Sequence, residues 1–117
     1  MGYYSQEFFS TTKGGYNRLM ELVELESRRA GDKYPIKSFS TFIELPNGVI
    51  FGEEEVRWYG NEVYSFERAF KKFDAEGNPW TRIHIGEETG DVEENYSKNA
   101  WDLDIPRLRT ETDWSYE

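Results

Sequence analysis

One dipeptide constrains the fold of this chain more than any other feature. Asn47-Gly48 lies between the apolar runs 38–45 and 49–51, and Asn-Gly is the preferred pair for a two-residue turn between antiparallel strands. The first run alternates, as a strand covered on one face does. Its covered face is predicted to consist of Phe39, Thr41, Ile43 and Leu45. The second run is expected to continue to Tyr59, with a bulge or break at Gly52.

Two further segments have the 3.6-residue apolar period of amphipathic helices. The first spans residues 16–30 and ends at Gly31, a residue typical of the position after a helix. Its apolar side is predicted to be Tyr16, Leu19, Met20, Val23 and Ala30. The second spans residues 62–74, with Asn61 as its cap and Gly77 after its end. Its apolar side is predicted to be Val63, Phe66, Ala69, Phe70 and Phe73.

Alternating residues predict three further strands. Residues 3–10 form the first, and Gly14-Gly15 are interpreted as the exit from it. Residues 80–85 form another, with Trp80, Arg82 and His84 on the face opposite Ile83. A turn at residues 86–90 leads into a short last strand. The fold class is therefore α+β: a ferredoxin-like βαββαβ antiparallel sheet with two helices on one face, plus an extra C-terminal strand.

The length and composition of the chain indicate one domain. A chain of 117 residues with 17% aromatic residues has enough apolar area for a single core. We place that domain at residues 1–98, followed by an acidic C-terminal extension, 99–117, that packs on the domain or trails from it. The chain has no cysteine, no signal-peptide pattern and no apolar run of membrane-spanning length, so we expect a cytoplasmic protein.

The charge of the chain is uneven. The net charge is −9, and residues 86–117 alone contain ten acidic and three basic residues. Nucleic acid and anionic membranes attract basic surfaces, so we expect neither as a direct partner. An acidic surface instead attracts a positively charged partner, such as a protein with a nucleic-acid groove.

No catalytic pattern stands out against this charge. His84 is the only histidine, the serines lie in no G-x-S-x-G motif, and the residues "EETGDVEE" do not match an EF-hand loop. We therefore expect no enzyme activity, no metal and no cofactor. Two alternatives stay open. One is a small metal-dependent enzyme with a site at Arg82, His84, Glu87 and Asp91, and the other is an oligomeric accessory protein, such as a homodimer, that pairs along a free sheet edge near residues 53–59.

The predicted binding surface combines two acidic groups with an aromatic segment. Arginine, tryptophan and tyrosine are the residues most enriched at binding hot spots, and here three of them are adjacent. The surface is predicted to consist of Glu53, Glu54, Glu55, Arg57, Trp58, Tyr59, Glu87, Glu88, Asp91, Glu93 and Glu94. The alternatives are that the acids form an ordinary solvated face and that Trp58 belongs to the core.

Three segments carry a resemblance: "MGYY" at the start, "VRWYG" before the second helix, and "IGEETGDVEENY" as the closing hairpin. Together they make residues 1–97 similar to a group of small bacteriophage and mobile-element proteins. Small acidic phage proteins without cysteine are often inhibitors of host defence proteins. The resemblance thus implies an anti-CRISPR or anti-restriction protein that mimics DNA in a basic groove inside the host cell.

Overall fold

A computed structural model of the protein describes residues 5–33, 36–56, 61–86, 92–100 and 105–106, with the side chains of residues 5, 54–56 and 61–63 outside that description. The elements are β1 (Ser5–Thr11), α1 (Lys13–Ala30), β2 (Thr41–Leu45), β3 (Gly48–Val56), α2 (Asn61–Ala75), β4 (Trp80–Ile85) and β5 (Val92–Tyr96). Within these residues, no helix is both long and apolar enough to cross a membrane.

The five strands form one antiparallel sheet in the order β2-β3-β1-β4-β5. This is the predicted α+β arrangement, with β5 as the added strand beside β4. Both helices contribute to one core with the same face of the sheet, which we call the helix face. Its buried residues are Phe9, Val49 and Phe51 from the strands, Leu19, Leu22 and Val23 from α1, Phe66, Ala69, Phe70 and Phe73 from α2, and Phe39 from the segment before β2.

Helix α1 begins three residues earlier than predicted. Thr12 is its N-cap, because its hydroxyl accepts a hydrogen bond from the Gly15 backbone N–H at 2.8 Å. The interpretation of Gly14-Gly15 as a strand exit is therefore wrong, since both glycines lie in the first turn of the helix. The predicted end is confirmed: Gly31 has a left-handed backbone, and its N–H donates to the Arg28 carbonyl at 3.1 Å. Ala30, predicted on the apolar side, is exposed.

The predicted hairpin is confirmed by the pairing of Leu45 with Gly48, but its two-residue turn consists of Pro46 and Asn47, and Gly48 is already the first residue of β3. The face predicted for Phe39 is wrong, because β2 begins only at Thr41. The Phe39 ring instead joins the helix-face core, with its centroid 5.0 Å from that of Phe51. A local alternation rule fails here because the chain is not yet in a strand at Phe39.

Strand β3 passes through Gly52 without a break. A Cβ atom at Gly52 would lie 2.0 Å from the Glu7 carbonyl oxygen, so the close approach of β1 requires glycine there. The irregularity in the ladder comes later, between the pairs Ser5–Val56 and Glu7–Glu53. The predicted bulge thus lies at Glu54 and Glu55 rather than at Gly52.

The face of the sheet opposite the helices is also buried near its centre. Phe8, Ile50 and Ile83 are almost fully buried there. Beyond β5, Ala100, Ile105 and Pro106 are buried, whereas Lys98 is exposed and Asn99 is half-buried. Pro106 lies beside the β2–β3 hairpin, because a Cβ atom at Gly48 would be 2.7 Å from its Cδ.

Candidate binding surface at one end of the sheet

The strand order brings the two predicted acidic groups to the same end of the sheet. Glu53 in β3 pairs with Glu7, Glu7 pairs with His84 in β4, and His84 pairs with Glu93 in β5. These four residues form one row across the helix face. Neighbouring strands lie about 4.8 Å apart, so the backbones of Glu53 and Glu93 are separated by roughly 14 Å. Two strands, β1 and β4, separate the acidic groups, which therefore are not immediate neighbours.

The predicted surface residues fall into four sets. Glu53 is bound locally, since its carboxylate accepts hydrogen bonds from the Ser40 N–H at 2.8 Å and from the Ser40 hydroxyl at 2.6 Å. Glu93 and Glu94 lie exposed on β5. Glu54 and Glu55 lie in β3, but their side chains are outside the described residues. Arg57, Trp58, Tyr59, Glu87, Glu88 and Asp91 lie outside the described residues altogether.

Strand β5 is open to solvent on both faces. All five of its residues are exposed, including two with large apolar groups, Val92 at 39% and Tyr96 at 57%. The register places Glu93 and Asn95 on the helix face and Glu94 on the other. No lysine or arginine in the described part of the chain forms an ion pair with Glu93 or Glu94. Both carboxylates are therefore exposed and have no ion-pair partner among the described residues.

A buried carboxylate occupies the middle of the row. The Glu7 residue is 2% exposed. Its Oε1 accepts a hydrogen bond from Arg82 Nε at 2.8 Å, and its Oε2 is hydrogen-bonded to His84 Nδ1. Arg82 and His84 thus share a face, as the alternation of β4 predicts. A buried carboxylate needs such partners, because desolvating an unpaired charge is very costly.

Arg82 links this carboxylate to helix α2. Its NH1 donates to Glu67 Oε1 at 2.9 Å, and its guanidinium carbon lies 5.0 Å from the Phe9 ring centroid and 5.4 Å from that of Phe70. Burial alone would lower the pKa of Arg82, but the charges of Glu7 and Glu67 raise it overall. Arg82 is therefore a permanently charged residue that links the sheet to helix α2.

A groove of about 440 Å³ lies beside Arg82, between α2 and the strands β4 and β5. Its lining includes Phe70, Trp80, His84, Glu93, Asn95 and Tyr96. The combination of aromatic walls with a carboxylate at the rim suits a cationic side chain. Of the alternative metal-dependent site, Arg82 and His84 lie together beside this groove, whereas Glu87 and Asp91 lie outside the described residues. Among the described residues, no group of three or more histidine, cysteine, aspartate or glutamate side chains is placed to hold a metal ion.

A second buried carboxylate, Glu26, joins the two helices. It is 4% exposed, and its oxygens accept from Lys72 Nζ at 2.5 Å and Arg68 Nε at 3.3 Å. The hydrogen bond from Lys72 lowers the pKa of Glu26, although burial opposes it, and the charges of Lys72 and Arg29 act in the same direction as the hydrogen bond. Glu26 is thus an ionised link inside the helix pair.

Neither Glu7 nor Glu26 was predicted from the sequence as a functional or buried residue. One signal was available for each: Glu7 shares the face of Phe9 two residues away, and Glu26 follows Leu19, Leu22 and Val23 on the buried side of α1. An acidic residue at an apolar position of the period indicates a buried partner. The identity of that partner depends on tertiary structure.

Comparisons with protein-family models, with curated proteins and with solved structures find no match to this chain.

Proposed function

We propose that this protein is a non-enzymatic, acidic binding protein that occupies a positively charged nucleic-acid groove on another protein. One observation carries the proposal. At one end of the sheet, β5 presents Glu93 and Glu94, which form no ion pair with a described cation, while the acidic run 53–55 of β3 lies at that same end. The surface thus offers anionic groups that an external cation can neutralise.

The internal use of basic residues supports this proposal. Within the described residues, the cations that form ion pairs bind carboxylates on the helices or in the core: Arg18, Arg28, Arg29, Arg68, Lys72 and Arg82. The excess of acidic residues is therefore left for the remaining surface. Negative charge concentrated on one region steers a basic partner toward it and accelerates association at low salt.

The biological setting follows from the resemblance to small phage proteins. In that setting the partner is a host defence protein that handles nucleic acid, such as a CRISPR effector or a restriction enzyme, and the bound protein inhibits it by excluding DNA. Charge complementarity supports a basic groove as the target class, and the resemblance alone supports the defence role.

Competition with DNA tests the proposal. Purified CRISPR effectors and restriction enzymes are loaded with labelled duplex DNA, and the protein is titrated while fluorescence anisotropy reports DNA release. We expect at least one of them to release DNA, with an affinity that falls steeply as salt rises. The variant Glu93→Gln/Glu94→Gln should weaken this competition.

A matched control separates local from overall charge. The variant Glu21→Gln/Glu24→Gln removes the same two charges from exposed positions of α1. It should compete as well as the unchanged protein. Equal weakening by both variants, or an affinity that is indifferent to salt, would contradict a binding surface at this end of the sheet.

A further inference from the structure

The outer edge of β5 has a defined hydrogen-bonding pattern. Residue pairs in an antiparallel ladder alternate between those that exchange hydrogen bonds and those that do not. Ser97, the residue after β5, donates its N–H to the Trp80 carbonyl at 3.0 Å. Because the pattern repeats every second residue, Asn95 and Glu93 also direct their backbone N–H and C=O groups toward β4. Val92, Glu94 and Tyr96 therefore direct their N–H and C=O groups outward, away from the sheet.

This edge lacks most of the features that protect exposed edges. Natural edge strands are often interrupted by proline, lysine or a bulge. Residues 92–96 contain no proline and no lysine, and their pairing with β4 is regular over all five positions. The side chains of β5 are exposed on both faces, and the outward N–H of Glu94 forms no hydrogen bond with a described residue. Such an edge can accept another strand.

The charges on β5 distinguish between two occupants of that edge. If two copies paired about Glu94, the two Glu94 side chains would lie directly opposite each other, and like charges in that position destabilise a ladder. A strand with basic residues would instead neutralise Glu94 on one face and Glu93 on the other. Charge complementarity thus favours a basic segment from a different protein over a second copy.

We propose that β5 binds an extended, basic segment of the partner as a sixth antiparallel strand. This inference rests on the proposed function and specifies how the partner is recognised. Main-chain hydrogen bonds from Glu94 would supply affinity, and alternating side chains would supply specificity. Listed from the residue opposite Tyr96 to the residue opposite Val92, the segment would be apolar, polar, basic, basic and apolar.

A synthetic peptide with both ends capped tests strand addition at β5 directly. The probe has the order threonine, valine, threonine, lysine, arginine, valine, threonine, and a shuffled peptide of the same composition is its control. Amide hydrogen exchange of the whole protein is followed by NMR with each peptide at millimolar concentration. We expect the probe to slow exchange at the outward amide of Glu94 by about tenfold or more, while the inward amides of Glu93 and Asn95 change little.

Two variants at one position separate backbone from charge. Glu94→Gln removes the charge and keeps the outward N–H, so it should weaken probe binding a few-fold. Glu94→Pro also removes that N–H, which β4 does not use, and should weaken binding by about a further tenfold while the melting temperature stays close to that of Glu94→Gln. The exchange measurement on the unchanged protein decides the matter if the proline variant loses its fold.

The outcomes of the two experiments distinguish strand addition at β5 from the proposed groove-binding function. Salt-dependent DNA competition without slowed exchange at Glu94 in the peptide experiment would overturn strand addition and leave the binding function standing. Slowed exchange with the probe but no DNA competition would support strand addition and remove the groove-binding function. A dimeric mass in solution that Glu94→Pro converts to a monomer would show that a second copy occupies the edge, and would overturn the inference.

Discussion

Glutamate residues have opposite environments in the interior of this protein and in its edge strand β5. Glu7 and Glu26 are almost fully buried, and each is held by at least two cationic or imidazole groups. Glu93 and Glu94 lie on a strand in which every residue is exposed, with no ion pair to a described residue. The buried pair of glutamates joins elements of the fold, whereas the exposed pair contributes little to it. Residues of the same type therefore divide into structural and interaction roles according to burial.

This contrast changes the meaning of the net charge of −9. The 23 acidic residues are not spread uniformly over the surface, because some of them are neutralised in the interior by basic partners. Removing a glutamate should consequently affect stability in the interior and binding at β5. The following three substitutions test that division.

Glu7→Gln should produce the largest loss of stability. It leaves the largely buried Arg82 with Glu67 as its remaining carboxylate and disturbs the contact with His84. We expect the free energy of unfolding to fall by about 3 kcal/mol, as when one partner of a buried ion pair is removed. Urea unfolding measures this loss. The control is Glu21→Gln on the exposed side of α1, which should cost at most about 0.5 kcal/mol. Equal losses in the two variants would show that Glu7 does not stabilise the fold.

Glu26→Gln should have a smaller effect that depends on pH. Its cationic partners are themselves exposed, so solvent screens the interaction, and we expect a loss of about 1.5 kcal/mol at neutral pH. The pKa of Glu26 is lowered in the folded state. Its contribution is therefore fully present above the ordinary glutamate pKa and is lost as the pH falls through the lowered value.

Unfolding experiments across acidic pH check that sign. The difference in stability between the unchanged protein and Glu26→Gln should shrink as the pH falls below about 4. A difference that grows toward acidic pH would mean that the ionised form of Glu26 is not the stabilising one.

Glu93→Gln/Glu94→Gln should have the smallest effect on stability. Neither carboxylate has a described partner, so the free energy of unfolding should change by no more than about 0.5 kcal/mol. The same urea experiment applies, with the DNA competition assay as the second measurement. A loss above about 1 kcal/mol would show that these residues hold the strand in place and would weaken the distinction between interior and exterior glutamates.

Much of the fold was predictable because it depends on local patterns. The Asn47-Gly48 hairpin, the end of α1 at Gly31 and the alternation of β4 each follow from a few consecutive residues. The errors also have local causes. A threonine cap extended α1 over two glycines, and the late start of β2 turned Phe39 to the other face.

The interior of the site was not predictable in the same way. Glu7 contacts Arg82 and His84 only because β1 pairs with β4 in the sheet. More than 70 residues of the chain separate Glu7 from these two partners. No local period contains that information. The acidic groups were found from charge counts alone, but their common end of the sheet follows from strand order. The predictions for Arg57, Trp58, Tyr59, Glu87, Glu88 and Asp91 remain predictions.

The central position of β1 has a consequence for how the chain acquires its structure. The first strand to leave the ribosome pairs on one side with β3 and on the other with β4, so it gains both neighbours only after Ile85 has been made. A topology with such distant pairings has a high contact order and folds slowly compared with a helical bundle of the same size. During synthesis, the aromatic residues Phe8 and Phe9 therefore lie in a strand that lacks one of its two neighbours until β4 has been made.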